Sequence, residues 1–365
     1  MKKINLGLLF GGQSAEHAVS LQSVQNIIEA IDKEKYDLTL IGIDKSGQWN
    51  LYTNDMILQA GNSLENIKAK NDDNMVLALG DEMKKDVLSC KGGMRQAIDV
   101  VFPVLHGTNG EDGTVQGLLK LANIPCVGAG VLASAAGMDK DVTKRILRDA
   151  GIDIARFKTY FYWQQEQIDF QDISSELGLP LFIKPANAGS SVGVSKVHDA
   201  LTFAEAIKTA FQFDNKILIE EAVAGRELEC GILGNEQPKA SVVGEIIAQT
   251  EFYSYDAKYR DENGAILELP ANLSAVLSKK IQTVAIQVFQ ALGCEGMARV
   301  DCFLTEDQRI IVNEINTIPG FTKISMYPKL WELSGVSYPN LIHRLIQLAL
   351  ERYKREQRLR TSYDD

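Results

Sequence analysis

Apolar positions in the first 137 residues fall into two alternating patterns. Near-continuous apolar runs at 4–10 (INLGLLF), 38–43 (LTLIGI) and 99–105 (DVVFPVL) predict parallel strands covered on both faces. Between them, Leu21, Val24, Ile28 and Ile31 within 15–31 recur at helical spacing, as do Val115, Leu118, Leu119 and Ala122 within 112–123. Strand alternating with helix predicts an open, mostly parallel α/β sheet. The stretch 60–98 is polar and weakly periodic, and reads as a surface excursion of no chemical use.

A second region, 138–222, opens with Val142, Ile146, Leu147 and Ala150 on one helix face, ended by Gly151. Strands are predicted at 181–184, 192–197 and 217–220, with a helix over 201–211. A third region, 223–365, predicts strands at 228–233, 241–248, 298–304 and 310–315 and helices at 274–292 and 338–354. The tail KREQRLRTSYDD is polar and is expected to fray.

Composition narrows the chemistry. With 365 residues, 45% of them apolar, the chain is long enough for two or three domains with a sizeable core. A net charge of −10 disfavours nucleic acid and anionic membrane as general partners. Cys90, Cys126, Cys230, Cys294 and Cys302 are scattered without a CxxC pair, which suits reduced thiols in cytoplasm. His17, His106, His198 and His343 show no zinc-ligand spacing with them. MKKINLGLLFGG lacks the long apolar core of a signal peptide, and no apolar run is long enough to span a bilayer.

Several loops carry candidate chemistry. Gly11-Gly12-Gln13-Ser14-Ala15-Glu16 follows the first strand; it is either a tight turn or a helix start whose Glu16 suits an ammonium ligand. His106-Gly107-Thr108-Asn109-Gly110-Glu111-Asp112-Gly113 leaves another strand at its carboxyl end, where α/β sheets bind ligands. Lys184 through Gly193 (KPANAGSSVG) joins two strands and can wrap a triphosphate, or form a plain glycine hairpin. Lys140, beside Asp139 in a helix's first turn, stands where the helix dipole disfavours a cation. Strand alternation puts Arg299, Asp301 and Phe303 on one face, and Glu314 and Asn316 on one face of the next strand. Such hard oxygens suit Mg²⁺, while an Arg–Asp ion pair on a solvated face is the alternative. Glu220 through Glu227 (EEAVAGRE) reads as a linker able to bind an adenine edge and a ribose. The aromatic stretch 252–259 (FYSYDAKY) reads as a lid or as a packed cluster.

The ordered set GGxSAE, HGxxGEDG, MDK, KPxxxGSSVG, the FYxYxxKY loop, RVD and NEINTxPGFT resembles the A-type branch of the D-alanine–D-alanine ligase family over nearly the whole chain. The resemblance implies an N-terminal open parallel α/β domain (1–137) followed by an ATP-grasp fold of two α+β lobes, a central one (138–222) and a C-terminal one (223–365). It implies ATP-dependent ligation of two D-alanines through an acyl phosphate, with two Mg²⁺ ions (Mn²⁺ as a substitute), in a cytoplasmic homodimer. Glu16 would hold the ammonium of the first D-alanine and, with Ser190 and Tyr259, close the site near His106. Lys140, Lys184 and Lys258 would contact ATP phosphates in the loop of Ser190 and Ser191. Glu220, the backbone at Glu221 and Val223, and Glu227 would bind adenosine between Phe182 and Phe252. Asp301, Glu314 and Asn316, with Asn313 beside them at the nucleotide, would ligate metal. Arg299 and the Gly320 backbone would steady an oxyanion, and Ser325 and Met326 would receive the second D-alanine.

Three other readings compete. A ligase of the same fold would use D-serine or D-lactate; in the family, phenylalanine in place of Tyr259 accompanies D-lactate. A dehydrogenase would require the GxGxxG fingerprint that this chain lacks. A non-catalytic nucleotide-binding regulator would not require the lysines and metal oxygens.

Overall fold

A computed structural model of the protein describes residues 2–59, 61, 75–77, 86–90, 95–248, 265–360 and 362–363. Strands β1 (Ile4–Gly11) and β2 (Tyr36–Ile43) run parallel, joined through α1 (His17–Ala30), and β3 (Trp49–Tyr52) adds an antiparallel edge. After α2 (Asn54–Gln59), the excursion contributes β4 (Met75–Leu77), β5 (Asp86–Cys90) and β6 (Arg95–Ala97) as a separate antiparallel sheet. β7 (Val100–Val104) then pairs in parallel with the other side of β1, completing the order β3-β2-β1-β7. Connections leave β1 to opposite sides, so the loops after β1 and β7 open a crevice at the carboxyl ends.

Three helices follow: α3 (Thr114–Leu121), α4 (Val131–Met138) and α5 (Lys140–Asp149). Asp139 caps α5, its carboxylate accepting from the Asp141 and Val142 amides at 3.1 Å each. Such a cap contributes about 1 kcal/mol. The second sheet holds β8 (Phe157–Phe161), β9 (Leu181–Pro185), β10 (Ser195–Val197) and β11 (Lys216–Glu221) in the order β10-β9-β11-β8. Helices α6 (Phe170–Leu177) and α7 (Ala200–Ala210) cover one face with Ile173, Leu177, Phe203 and Ile207. β10 is shorter than the predicted 192–197, because Ser190, Ser191 and Gly193 adopt positive φ (51°, 60° and 69°) in a tight loop. β8 and α6 were not predicted. FKTYF is partly exposed all along, so it carries no buried–exposed alternation.

The third sheet is fully antiparallel: β12 (Arg226–Gly234), β13 (Lys239–Ala248), β14 (Ala265–Glu268), β15 (Gly296–Leu304) and β16 (Ile310–Asn316), ordered β14-β13-β12-β15-β16. Ile281, Ala285, Val288 and Phe289 of α8 (Ala275–Ala291) pack on Cys230, Ile232, Val300 and Val312. The short α9 (Met326–Leu333) precedes α10 (Tyr338–Glu356).

β1 shows why both faces of the first sheet are apolar. Leu6, Leu8 and Phe10 join one cluster with Leu21, Val24 and Ile28 of α1, while Leu9 joins Ile41, Val101, Val115 and Leu119 in another. The first cluster also takes Leu341, Ile342, Leu345 and Ile346 of α10. The helix predicted for the third region thus roofs the first sheet. Its end is pinned: Arg352 donates to the Gly128 and Cys126 carbonyls at 2.7 Å each, and Arg355 pairs with Glu236 and, at 2.6 Å, with Glu295. The start of the polar tail is therefore anchored. Its charges have partners on other elements, which a hydropathy pattern does not register.

Candidate active site

The loops after β1 and β7, the glycine loop after β9, the start of α5, the β15–β16 strands and the segment 317–326 converge on one cleft of about 200 Å³. Glu16, His106, Lys140, Ser190, Arg299, Glu314, Asn316, Gly320, Ser325 and Met326 line it, among the described residues. It is smaller than the roughly 300–1,000 Å³ that drug-sized ligands occupy, and suits small polar molecules.

Glu16 is buried at the start of α1, where its carboxylate accepts from the Ser190 hydroxyl across 174 residues of chain. The sequence needs glycine opposite it. Gly107 has φ +76°, and a Cβ there would lie 2.9 Å from Glu16 Oε2 and 2.7 Å from Ser14 Oγ. Gly107→Ala is therefore expected to cost about 1–2 kcal/mol of stability in urea titrations and to displace Glu16. Unchanged stability together with an unchanged KM for the amino acid would contradict this. His106 is buried with both ring nitrogens engaged, Nδ1 at 3.1 Å from the Ile318 carbonyl and Nε2 at 3.3 Å from Ser23 Oγ. Burial lowers its pKa, against the opposing pull of Glu16, so the ring is neutral and ties two loops together.

The oxygen-bearing residues lie on adjacent rungs. Asp301 pairs with Glu314 in register, and Arg299 with Asn316. A bulge follows Asp301, and Asn313 on the bulged strand comes within 3.5 Å of Lys184 Nζ on β9. Bulges re-aim side chains near active sites in this way. Arg299 grips Asp301 with two hydrogen bonds of 2.8 and 2.7 Å and reaches Glu229 at 3.0 Å. Burial alone would lower its pKa, but Asp301 and Glu229 outweigh it, and the guanidinium stays charged. The Arg–Asp pair anticipated as an alternative does exist, but its Asp301 is buried and its Arg299 only partly exposed.

Lys140 turns away from the helix axis: its ammonium donates to the Ala188 carbonyl at 2.7 Å and lies 3.6 Å from Glu314. The helix-dipole conflict is relieved by these two partners. Gly320 packs against Ser325, whose hydroxyl accepts from the Thr322 amide at 3.0 Å.

Phe182, Lys184, Ser191, Glu220, Glu221, Val223, Glu227, Asn313 and Asp301 are not among the residues that line the cleft. Glu220 is buried between Lys184 at 2.7 Å and Lys144 at 3.3 Å. Burial would raise its pKa, yet the two lysines bring it below the ordinary value. Glu221 bonds Arg156 Nε at 2.6 Å, and its backbone N–H donates to the Arg156 carbonyl at 3.1 Å. Phe252, Lys258 and Tyr259 lie outside the described residues.

Sequence reading passed over Glu111, Lys144, Glu229 and Ser23. Glu229 faces Asp301 across β12–β15, which only the register reveals. Lys144 sits on the helix face that reads as polar, although it is 1% exposed. Glu111 was inside a recognised loop, and its burial was the missing signal.

Asp301, Glu314 and Asn316 offer two carboxylates and an amide, all hard oxygens. Among the described residues no group of three or more His, Cys, Asp or Glu forms a complete metal cage. A donor set of this kind fits a divalent ion such as Mg²⁺, which is commonly held by one or two carboxylates plus substrate phosphates.

The family model for the D-ala D-ala ligase N-terminus matches residues 5–129, and that for the D-ala D-ala ligase C-terminus matches residues 146–347. The chain is 53% identical over 366 residues to the D-alanine–D-alanine ligase of Shouchella clausii strain KSM-K16, with both chains covered completely. It is 50% identical to D-alanine–D-alanine ligase A of Escherichia coli K12, covering 99% of this chain and 100% of that one. Among solved structures, the D-alanine–D-alanine ligase of Coxiella burnetii superposes with a TM-score of 0.87 at 39% identity, covering 98% and 97% of the two chains. The VanG D-Ala:D-Ser ligase of Enterococcus faecalis gives 0.86 at 38% identity, covering 95% of this chain and 100% of that one. With these likenesses running from one end of the sequence to the other, the chain belongs to the D-alanine–D-alanine ligase family, whose fold is ATP-grasp.

Proposed function

We infer that the protein joins two D-alanine molecules at the expense of ATP, giving D-alanyl-D-alanine, ADP and phosphate for peptidoglycan precursors. The supporting observation is the small cleft in which a buried glutamate, a charged and partly buried arginine and a lysine meet beside hard metal-binding oxygens. A carboxylate is a poor acyl donor, so its oxygen first attacks the γ-phosphorus and ADP leaves. The amine nitrogen of the second amino acid then attacks the acyl carbon, and inorganic phosphate leaves from the tetrahedral adduct.

Each residue has a place in this reading. Glu16, held by Ser190 and closed over by Tyr259, takes the first ammonium, with His106 fixing the loop beside it. Lys140, Lys184 and Lys258 lie along the phosphates, and preset charge of this kind supplies most of phosphoryl-transfer catalysis. Ser190 and Ser191 cradle phosphate oxygens from the glycine loop. Glu220, the backbone at Glu221 and Val223, and Glu227 hold adenosine between Phe182 and Phe252. Asp301, Glu314 and Asn316 would hold two divalent ions, Mg²⁺ or Mn²⁺, which neutralise phosphate charge when bound; Asn313 lies at the same phosphates. Arg299 and the Gly320 amide steady the oxyanion, while Ser325 and Met326 seat the second amino acid. The division into 1–137, 138–222 and 223–365, a homodimeric assembly and a cytoplasmic setting belong to the same reading. Among the described residues, no helix is long and apolar enough to cross a membrane.

Phosphate release from ATP, followed with D-alanine, L-alanine, D-serine and D-lactate in turn, tests this. D-Alanine alone is expected to support release, with the dipeptide as product. Release with L-alanine, or faster release when D-serine or D-lactate is the second substrate, would overturn the assignment.

A further inference from the structure

Residues 222–225 carry the chain from β11 of the second sheet into β12 of the third. β11 ends on Glu221, one residue beyond the Glu220–Phe157 pair that joins it to β8, so Glu221 stands opposite Arg156. A hydrogen-bonded rung of an antiparallel ladder exchanges a main-chain bond in each direction. Here the exchange is one-sided. The Glu221 amide donates to the Arg156 carbonyl at 3.1 Å, but the Arg156 amide donates to Oε1 of the Glu221 carboxylate at 2.8 Å. The side chain takes the donor that the ladder would give to its own main-chain carbonyl, which is left out of the rung. The next amide, Ala222, donates to the Pro180 carbonyl at 3.2 Å and holds the backbone from the other side.

The guanidinium braces this arrangement. Arg156 Nε donates to Glu221 Oε2 at 2.6 Å, Nη1 to the Glu176 carbonyl at 2.8 Å and Nη2 to the Leu177 carbonyl at 3.2 Å. Those carbonyls end α6, where the helix has no amides of its own to satisfy them and where its dipole favours a cation. Arg156 is 61% exposed, and an isolated ion pair there would fix little. The fork to the helix end is what holds it rigidly against the strand.

We propose that the Arg156–Glu221 pair positions the nucleotide-binding backbone and sets the choice of base. By drawing the Arg156 amide out of the ladder, the Glu221 carboxylate releases the Glu221 main-chain carbonyl to accept from the exocyclic amine of a purine. This rests on the reading above that places adenosine at the backbone of Glu221 and Val223, and deepens it. A 6-amino purine donates to a carbonyl, whereas a 6-oxo purine presents an oxygen there, and two acceptors repel. Without the carboxylate, the Arg156 amide closes the rung on the carbonyl and the distinction fades. Arg156 and the Glu221 side chain are therefore positioning residues, acting through the main chain.

Calorimetric titration of the full chain with ADP and with IDP, magnesium present, reads the choice of base without turnover. The wild-type protein is expected to favour ADP. Glu221→Ala is expected to bind ADP about 10-fold more weakly and to lose most of its preference over IDP, as for one hydrogen bond to the ligand. Glu221→Gln keeps a side-chain oxygen that accepts from the Arg156 amide, so most of the preference returns. Arg156→Ala removes the brace but not the amide, and a loss of about 3-fold is expected. A purely structural pair would lower the urea midpoints of these variants and leave the ratio of ADP to IDP affinity alone. That result overturns the proposal, as does a wild-type protein that binds both nucleotides equally or neither. A folded Glu221→Gln as indiscriminate as Glu221→Ala overturns it too. Should Glu221→Ala fold poorly, the exposed Arg156→Ala decides by the same ratio. Phosphate release from ATP with D-alanine is followed alongside. Its absence, with the ratios as expected, sinks the ligase reading and leaves the pair standing; normal release with unaltered ratios does the reverse.

Discussion

Replacing Arg299 with alanine is expected to lower turnover roughly 10²–10³-fold, the usual cost of losing a preorganised oxyanion donor. The structure adds a second consequence. Arg299 lies between Asp301 and Glu229, at 2.7–3.0 Å from each. Its removal strands two buried carboxylates, and breaking a buried pair costs about 3–5 kcal/mol. The alanine variant is therefore expected to unfold at markedly lower urea concentration as well. Arg299→Lys separates the two effects. It keeps the charge but loses the two-pronged grip on Asp301, so stability recovers more than turnover does. Near-normal turnover in either folded variant would remove Arg299 from the chemistry.

The second large effect is expected at Glu220. This buried carboxylate is shared by Lys184 and Lys144, and Lys144 is 1% exposed with its ammonium 5.8 Å from the Phe157 ring centre. Glu220→Gln leaves Lys144 charged without a counterion, and a loss of about 3–5 kcal/mol is expected. The pH dependence follows from the sign of the shift. Glu220 titrates below its ordinary value of 4.5 because its lysines outweigh burial. Its stabilising contribution is present above pH 4.5 and is lost as pH falls through the depressed folded value. Lys144 shifts the other way: burial lowers it from 10.5, only partly offset by Glu220. Without Glu220 that depression deepens, so the variant should gain stability as pH rises towards 10.5, where the unfolded lysine also loses its proton. Urea midpoints between pH 3 and 10 measure both slopes. A variant with the wild-type profile at both ends would show that the pair contributes nothing.

Much of this architecture was legible in residue patterning. The runs 4–10, 38–43 and 99–105 became the three parallel strands, because strands buried on both faces must be apolar throughout. The Arg299–Asp301 and Glu314–Asn316 alternation carried over to adjacent rungs, since strand periodicity is fixed by the pleat. What escaped depends on long-range pairing. The bulge that brings Asn313 towards Lys184 is a property of register between two strands. Glu229 gains its meaning only from lying opposite Asp301. Half-exposed elements such as Phe157–Phe161 lack the contrast between faces that a hydropathy pattern needs. The roles of Phe252, Lys258 and Tyr259 lie outside the described residues and rest on resemblance alone.

The placement of α10 has a consequence for assembly during synthesis. Leu6, Leu8 and Phe10 are made first, yet Leu341, Leu345 and Ile346, which cover them, come more than 300 residues later. At about 5–20 residues per second, that oily face waits some tens of seconds for its cover. The nascent chain is thus a natural client for holding chaperones, and a nonsense codon ahead of residue 338 would leave a sticky, incompletely roofed sheet rather than a smaller working enzyme.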